Sequence, residues 1–251
     1  MIRTENLTKV FGDMVAVDHV DLEIPPGEFF AFIGPNGAGK TTTIKMITGL
    51  LRPTEGRVQL CGHDVQEDYI AAKQIVSYVP DQPYLYDKLT GREFLRFVGR
   101  MYELPGGEIE RKIEDLSATF GLGEFLNTLA ETYSHGMKQR VVISAALLHD
   151  PRVLVVDEPL VGLDPRGASV LKQAFMDRAE AGTSIFMSTH TLSLAEDVAD
   201  RVGIIHEGRI VALGTMEEIR ELSQTGGRLE EAFLRLTGEV SSAQPENTRP
   251  A

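Results

Sequence analysis

The residues best suited to chemistry are Gly34-Pro35-Asn36-Gly37-Ala38-Gly39-Lys40-Thr41, which fit the pattern G-x-x-x-x-G-K-[ST]. In such a loop, glycines let successive backbone N–H groups converge on phosphate oxygens. A helix opening at the end of the loop adds the positive pole of its dipole. Lys40 can reach the β- and γ-phosphates and the Thr41 hydroxyl can ligate Mg²⁺, with Thr42 expected among the nucleotide-binding residues of the loop. The bland alternative is a glycine-rich turn without a ligand. An apolar run before the loop (28–33, EFFAFI) and a helical run after it (41–50) argue against that. A second set is Asp157-Glu158, which closes the apolar run 153–156 (VLVV). A carboxylate at the C-terminal end of a buried parallel strand sits where such sheets bind ligands. Asp157 would hold Mg²⁺, directly or through water. Glu158 would polarise the water that attacks the γ-phosphate. Alone, the pair reads as two solvated acids; beside a phosphate loop, the functional reading wins.

Further motifs follow in a fixed order: 133–139 (YSHGMKQ), Asp157-Glu158, Gly162-Leu163-Asp164 and Ser188-Thr189-His190, with Phe11 upstream of all of them. As a set, over residues 1–220, they make the chain resemble the ATP-binding subunit of an ABC transporter. Residues 133–139 are similar to the ABC signature often written LSGGQ, 162–164 to the D-loop, and His190 to the switch histidine. The resemblance implies that Phe11 stacks on adenine, that His190 contacts the γ-phosphate, and that Asp164 crosses a dimer interface. It also implies a head-to-tail dimer with two ATPs, each held between one subunit's phosphate loop and the other's signature. The residues agree with this. Ser134 and Gly136 stand just before an expected helix, so they offer a hydroxyl, free N–H groups and a dipole. If one chain's loop and signature cannot meet, two chains are needed. No N-K-x-D guanine motif is present, which weakens a GTPase reading.

The chain departs from the family pattern twice. His135 stands where the family usually has Gly; the simplest expectation is that it points to solvent and changes little. At the Q-loop, in 79–86 (VPDQPYLY), aligning the Leu-Tyr pair puts Asp81 at the family's glutamine position. Asp81 could bind a Mg²⁺-coordinated water through its carboxylate. A one-residue shift brings in Gln82 instead, and both stay open as metal-site candidates.

These groups need a scaffold. Short apolar runs at 28–33, 153–156, 184–188 and 202–205 predict buried strands. Helical spacing predicts helices over 41–50, from near Met137 through Leu148, over 166–181, and over 191–199. The alternation predicts an α/β fold, with a mostly parallel sheet covered by helices on both faces. Segments 3–10, 20–24 and 57–60 predict a small N-terminal antiparallel layer. Residues 89–139 hold two helical runs, 93–102 and 108–120, separated by Pro105-Gly106-Gly107, and no convincing strand. The expected organisation is a P-loop NTPase core (1–88 and 140–220), a helical signature lobe inserted at 89–139, and a C-terminal helical extension at 221–238. Gly226-Gly227 would mark a break before the amphipathic run 229–236. The polar stretch 239–251 reads as a disordered tail.

Composition bounds the rest. The chain has 251 residues, with 25 Lys+Arg against 37 Asp+Glu, a formal net charge of −12. Its 42% hydrophobic and 25% charged residues are ordinary for a globular protein, which excludes wholesale disorder, collagen or coiled coil. No apolar run approaches the ~18–20 residues of a membrane span. The start is polar and lacks the apolar core of a signal peptide. A lone Cys61 cannot form an internal disulfide, which makes a reducing compartment the default and a small buried apolar role its expected one. The acidic balance argues against nucleic-acid binding. His19, His63, His149 and His206 show no metal-ligand spacing. Phe11 reads as a core aromatic or as the adenine platform. Tyr84-Leu85-Tyr86 reads as core or as an exposed lip that docks a partner. Asp164 before Pro165 also fits a helix N-cap.

The resemblance implies a Mg²⁺-dependent ATPase at the cytoplasmic face of a membrane. There it would drive export through separate transmembrane permease subunits, as a homodimer or paired with a second ATP-binding subunit. Its alternative is a soluble ABC-type assembly ATPase not coupled to transport.

Overall fold

The computed structural model describes residues 1–222 and 229–238. The chain opens with a hairpin, β1 (Ile2–Phe11) and β2 (Met14–Ile24), then the buried strand β3 (Phe29–Ile33). After helix α1 (Lys40–Ile47) come β4 (Glu55–Leu60), β5 (His63–Asp64), α2 (Tyr69–Ile75) and β6 (Val76–Val79). Three helices follow: α3 (Gly91–Met101), α4 (Gly106–Phe120) and α5 (His135–Leu147). The chain continues through β7 (Val153–Asp157), α6 (Pro165–Glu180), β8 (Ser184–Thr189) and α7 (Leu192–Val198). It ends with β9 (Arg201–His206), β10 (Arg209–Gly214), α8 (Met216–Leu222) and α9 (Leu229–Leu236). The expected break at Gly226-Gly227 and the expected tail at 239–251 lie outside the described residues.

The central sheet has six strands in the order β10-β9-β3-β8-β7-β6, parallel except for the β9–β10 hairpin. An antiparallel sheet, β2-β1-β4-β5, forms the N-terminal layer. All five residues of β3 are buried, because this strand is covered on both faces. Phe29, Ala31 and Ile33 face one core, with α5, α6 and the helical lobe. Phe30 and Phe32 face the other, with α1 and the antiparallel layer. There Phe186 joins them, its ring centroid 5.6 Å from Phe30 and 5.3 Å from Phe32. Each such side chain stabilises the fold by about 1.5–3 kcal/mol through burial.

Between β6 and β7 the chain adds no strand to the sheet. Thr90 caps α3 through a reciprocal capping box with Glu93. Arg96 holds Glu110 of α4 through a bidentate pair at 2.6 and 2.9 Å. The Tyr133 hydroxyl accepts from Gly91 N–H at 3.0 Å and donates toward Phe125 O at 2.8 Å, fastening the entry to α5 onto α3. Helix α4 starts two residues before the expected 108. Gly106 and Gly107 occupy its first turn, where backbone N–H groups need no intrahelical partner.

His149, just after α5, stacks flat on Tyr102, 3.6 Å between centroids and 7° between planes. Burial is the main reason its pKa falls from the usual 6.5 to about 4. The folded state therefore favours the neutral ring, and the unfolded state takes up the proton first. Stability from this site is full above the unfolded value and is lost as pH falls from about 6.5 toward about 4. Urea unfolding at pH 7 and pH 5 should show the wild type losing about 1–2 kcal/mol more than His149→Phe across that interval. Equal losses would contradict this.

Candidate active site

A cavity of about 560 Å³ opens at the C-terminal ends of the parallel strands. The loop leaving β3 supplies Asn36, Gly37, Gly39, Lys40, Thr41 and Thr42 to its wall. Gly39 lies at φ +109°, and a Cβ there would stand 2.6 Å from the Ala16 carbonyl oxygen, so both conformation and space demand glycine. The other side of the loop is pinned by the turn between β9 and β10. Gly208 N–H donates to Ala38 O at 3.0 Å, and Asp18 N–H donates to Gly208 O at 2.9 Å. These bonds hold the phosphate loop, the sheet edge and the antiparallel layer as one frame.

Lys40 is buried, and its ammonium donates to Gly34 O at 2.6 Å and Pro35 O at 3.1 Å. Burial pushes its pKa down, against the pull of the Glu158 and Asp157 carboxylates. Asp157 ends β7 and is 2% exposed. Thr41 donates to its Oδ2 at 3.1 Å, and the Ser188 hydroxyl donates to Oδ1. The parallel register makes this inevitable, since Asp157 pairs with Ser188 across β7 and β8. Burial pushes the Asp157 carboxyl up, opposed by the two hydroxyls; nearby Asp81 and Glu158 raise it further.

Glu158 sits in the left-handed region at φ +48°, which costs a non-glycine residue about 1–3 kcal/mol. Three bonds hold it there. Its Oε1 accepts from His190 N–H at 2.8 Å and pairs with His190 Nδ1 at 2.6 Å. Its Oε2 accepts from the Thr189 hydroxyl at 3.1 Å. At the opposite rim, Phe11 is 45% exposed and Met14 61%, a flat apolar surface at the β1–β2 turn. Lys9 Nζ lies 5.1 Å from the Phe11 ring centroid. Phe11 is thus a rim aromatic, not a core one.

The cavity gathers Phe11, the loop, Asp81, Asp157, Glu158 and His190. Gly34, Pro35 and Ala38 complete the loop behind it. Of the two Q-loop residues, Asp81 lines the cavity and Gln82 does not; Gln82 N–H donates back to Asp81 Oδ1 at 2.8 Å. Ser134, Gly136 and Asp164 do not line it. Ser134 is the N-cap of α5, its hydroxyl accepting from Met137 N–H at 3.3 Å. Gly136 lies within the first turn of α5 and not before the helix, because the helix opens at His135. Asp164 caps α6 by accepting from Gly167 N–H at 3.1 Å. His135 is exposed but does not stand clear in solvent: its ring lies over Gly162. Cys61 is half-buried at the edge of the second core instead of fully buried.

Sequence reasoning missed Ser188 and Thr189 as holders of the two carboxylates. Their signal was two hydroxyls at a buried strand end, directly before His190. It also missed Met14, Val15 and Ala16 at the start of β2, and Glu207 and Gly208 in the β9–β10 turn, which line the cavity. Only the Glu207-Gly208 turn pair offered a hint of those.

A phosphate loop leaving the parallel strand β3, with two carboxylates at the end of β7 across the intervening β8, defines a P-loop NTPase. The sequence matches the ABC transporter family over residues 17–161. It is 37% identical over 237 residues to the linearmycin resistance ATP-binding protein LnrL of Bacillus subtilis (strain 168), covering 94% of this chain and 75% of that one. A solved ATP-binding subunit of an ABC transporter superposes with a TM-score of 0.90 at 34% identity, covering 94% of this chain and 99% of that one. A dimeric ATP-binding cassette, MJ0796, bound to ADP and Pi, superposes with a TM-score of 0.78 at 26% identity over 86% of this chain and 98% of that one. The chain belongs to the ABC transporter family. It is an ATP-binding subunit of that family, and its reaction is the hydrolysis of ATP.

Proposed function

We propose that this ATPase works as a homodimer that drives export through separate transmembrane subunits. One observation carries the dimer: the phosphate loop and both carboxylates share one cleft, while Ser134 and Gly136 lie outside it. A second copy of the chain supplies the signature to each cleft, and Asp164 meets the partner across the interface. The chain carries the loop, the carboxylates and the signature together, so two copies complete two equivalent sites.

In each site Phe11 stacks on the adenine, its exposed ring offering the flat apolar face that a base needs. The loop N–H groups and Lys40 hold the phosphates. Thr41 and Asp157 fit Mg²⁺, since both offer oxygen and already meet at 3.1 Å. Among the described residues no group of three His, Cys, Asp or Glu could hold an ion, so an ion held by Thr41 and Asp157 would need the nucleotide's phosphates as well. Bound there, Mg²⁺ would neutralise charge on the β- and γ-phosphates. Asp81 orients a water of that site. Glu158 takes the proton of the attacking water. His190 holds Glu158 through Nδ1, which leaves Nε2 to meet the γ-phosphate. Parallel alanine variants separate the Q-loop candidates: Asp81→Ala should raise the Mg²⁺ concentration for half-maximal turnover several-fold, and Gln82→Ala should leave it near wild type. The reverse pattern would move the role to Gln82.

The core (1–88 and 140–220) carries the cleft, the lobe at 89–139 carries the signature, and 221–238 is an extension. Tyr84 and Tyr86 are 73% and 48% exposed, and form the lip that docks the membrane partner. Among the described residues no helix is long and apolar enough to cross a membrane, so a separate permease would place the subunit at the cytoplasmic face. The resistance function in the name of its relative LnrL supports export. The test is purification of the Glu158→Gln form from native membranes in mild detergent with ATP, followed by mass spectrometry of its partners. A stoichiometric multispan protein is expected. Soluble partners alone would replace this reading with an assembly ATPase.

A further inference from the structure

His135 fills a position adjoining Gly162, and the contact has a definite geometry. Gly162 lies at φ +79°, in a turn that runs from Glu158 to Asp164. A Cβ on Gly162 would run into the His135 ring, with Cγ and Nε2 both at 3.1 Å. The ring therefore covers the bare Cα of Gly162. On the same turn of α5, a Cβ on Gly136 would come 2.7 Å from the Gly162 carbonyl oxygen. One helical turn later on that face, Gln139 Nε2 donates to Pro159 O at 3.2 Å. Between these contacts the segment is tied to itself: Val161 N–H donates to Glu158 O at 3.3 Å, and Leu163 N–H donates to Leu160 O at 3.2 Å.

We propose that His135 is a positioning residue for hydrolysis, its imidazole clamping Gly162 so that the start of α5 and the turn 158–164 move as one body. The clamp acts by shape. The turn begins at Glu158, held in the left-handed region, and ends at Asp164, the cap of α6. A glycine at 135 would leave a gap above a residue that itself has no side chain, and the turn would gain freedom at both ends. The γ-phosphate contact made by one subunit's signature is then transmitted to that same subunit's Glu158, which faces the other nucleotide of the dimer. This rests on the assignment of Glu158 as the base and on the shared-site dimer.

The experiment compares wild type, His135→Gly and His135→Phe. Hydrogen–deuterium exchange of the nucleotide-free chain reads the clamp without reference to ATP. Peptides covering 158–164 should exchange faster in His135→Gly and at the wild-type rate in His135→Phe. In steady-state assays with Mg-ATP, His135→Gly should lose about tenfold in kcat with KM within twofold, and His135→Phe should restore kcat. Unchanged exchange in His135→Gly, an unchanged kcat, or failure of Phe to rescue would each overturn the proposal. Failure of the base assignment shows elsewhere, as wild-type turnover in Glu158→Gln.

Discussion

Replacing Glu158 by Gln should slow ATP turnover by about 10²–10⁴-fold while leaving ATP binding intact. The shape of the site explains the split. Gln keeps the length of the side chain and an oxygen that can still accept from His190 N–H, a bond of 2.8 Å in the native site. The left-handed backbone at 158 is also held by its own N–H, which donates to Ser188 O at 3.1 Å and is untouched by the loss of charge. What disappears is the ability to take a proton from the attacking water. Nucleotide affinity is expected from the loop N–H groups and Lys40, whose hydrogen bonds to Gly34 O and Pro35 O the substitution leaves in place. Phosphate release and equilibrium binding of ATP, measured on the same preparation, separate the two effects. Turnover at the wild-type rate would remove Glu158 from the role of base.

Lys40→Ala should instead abolish useful binding, weakening ATP affinity by about 10–10²-fold. In the nucleotide-free chain the Lys40 ammonium donates to Gly34 O and Pro35 O, and burial already disfavours its charge. The ammonium is thus held in an unfavourable place until phosphate arrives, and the phosphate charge offsets the desolvation. Removing it leaves the loop frame standing, because that frame is fixed by Gly39 and by the Ala38–Gly208 bond. Thermal unfolding of the free variant should therefore stay close to wild type, while the rise in melting temperature on adding Mg-ATP at a fixed concentration should shrink sharply. A full ligand-induced rise in Lys40→Ala would contradict the assignment.

Where the candidate site is built from contiguous residues, its elements were legible in the sequence. The loop 34–41 and the pair Asp157-Glu158 follow strands whose residues are uniformly apolar, and β3 and β7 are buried throughout. Strands at 76–79 and 209–214 carried no such signal. The first is only four residues long, and the second alternates exposed and buried positions at a sheet edge. Side chains that meet through register were also hidden. Ser188 reaches Asp157 because β7 and β8 align those two positions, a fact of pairing that no local pattern encodes. The His135–Gly162 contact is of the same kind. Its partners are far apart in sequence, and a histidine at a helix start reads as a solvated side chain until the turn after β7 folds back onto it. That Asp81 and not Gln82 lines the cleft likewise depends on the path of the chain after β6.

The proposed dimer requires that each active site be shared between two copies of this chain. Light scattering on purified Glu158→Gln tests it most directly, with and without saturating Mg-ATP. The predicted result is the 27.6 kDa mass of one chain without nucleotide and twice that with it, reversed by Ser134→Arg. A mass that stays at one chain with ATP bound would contradict the claim.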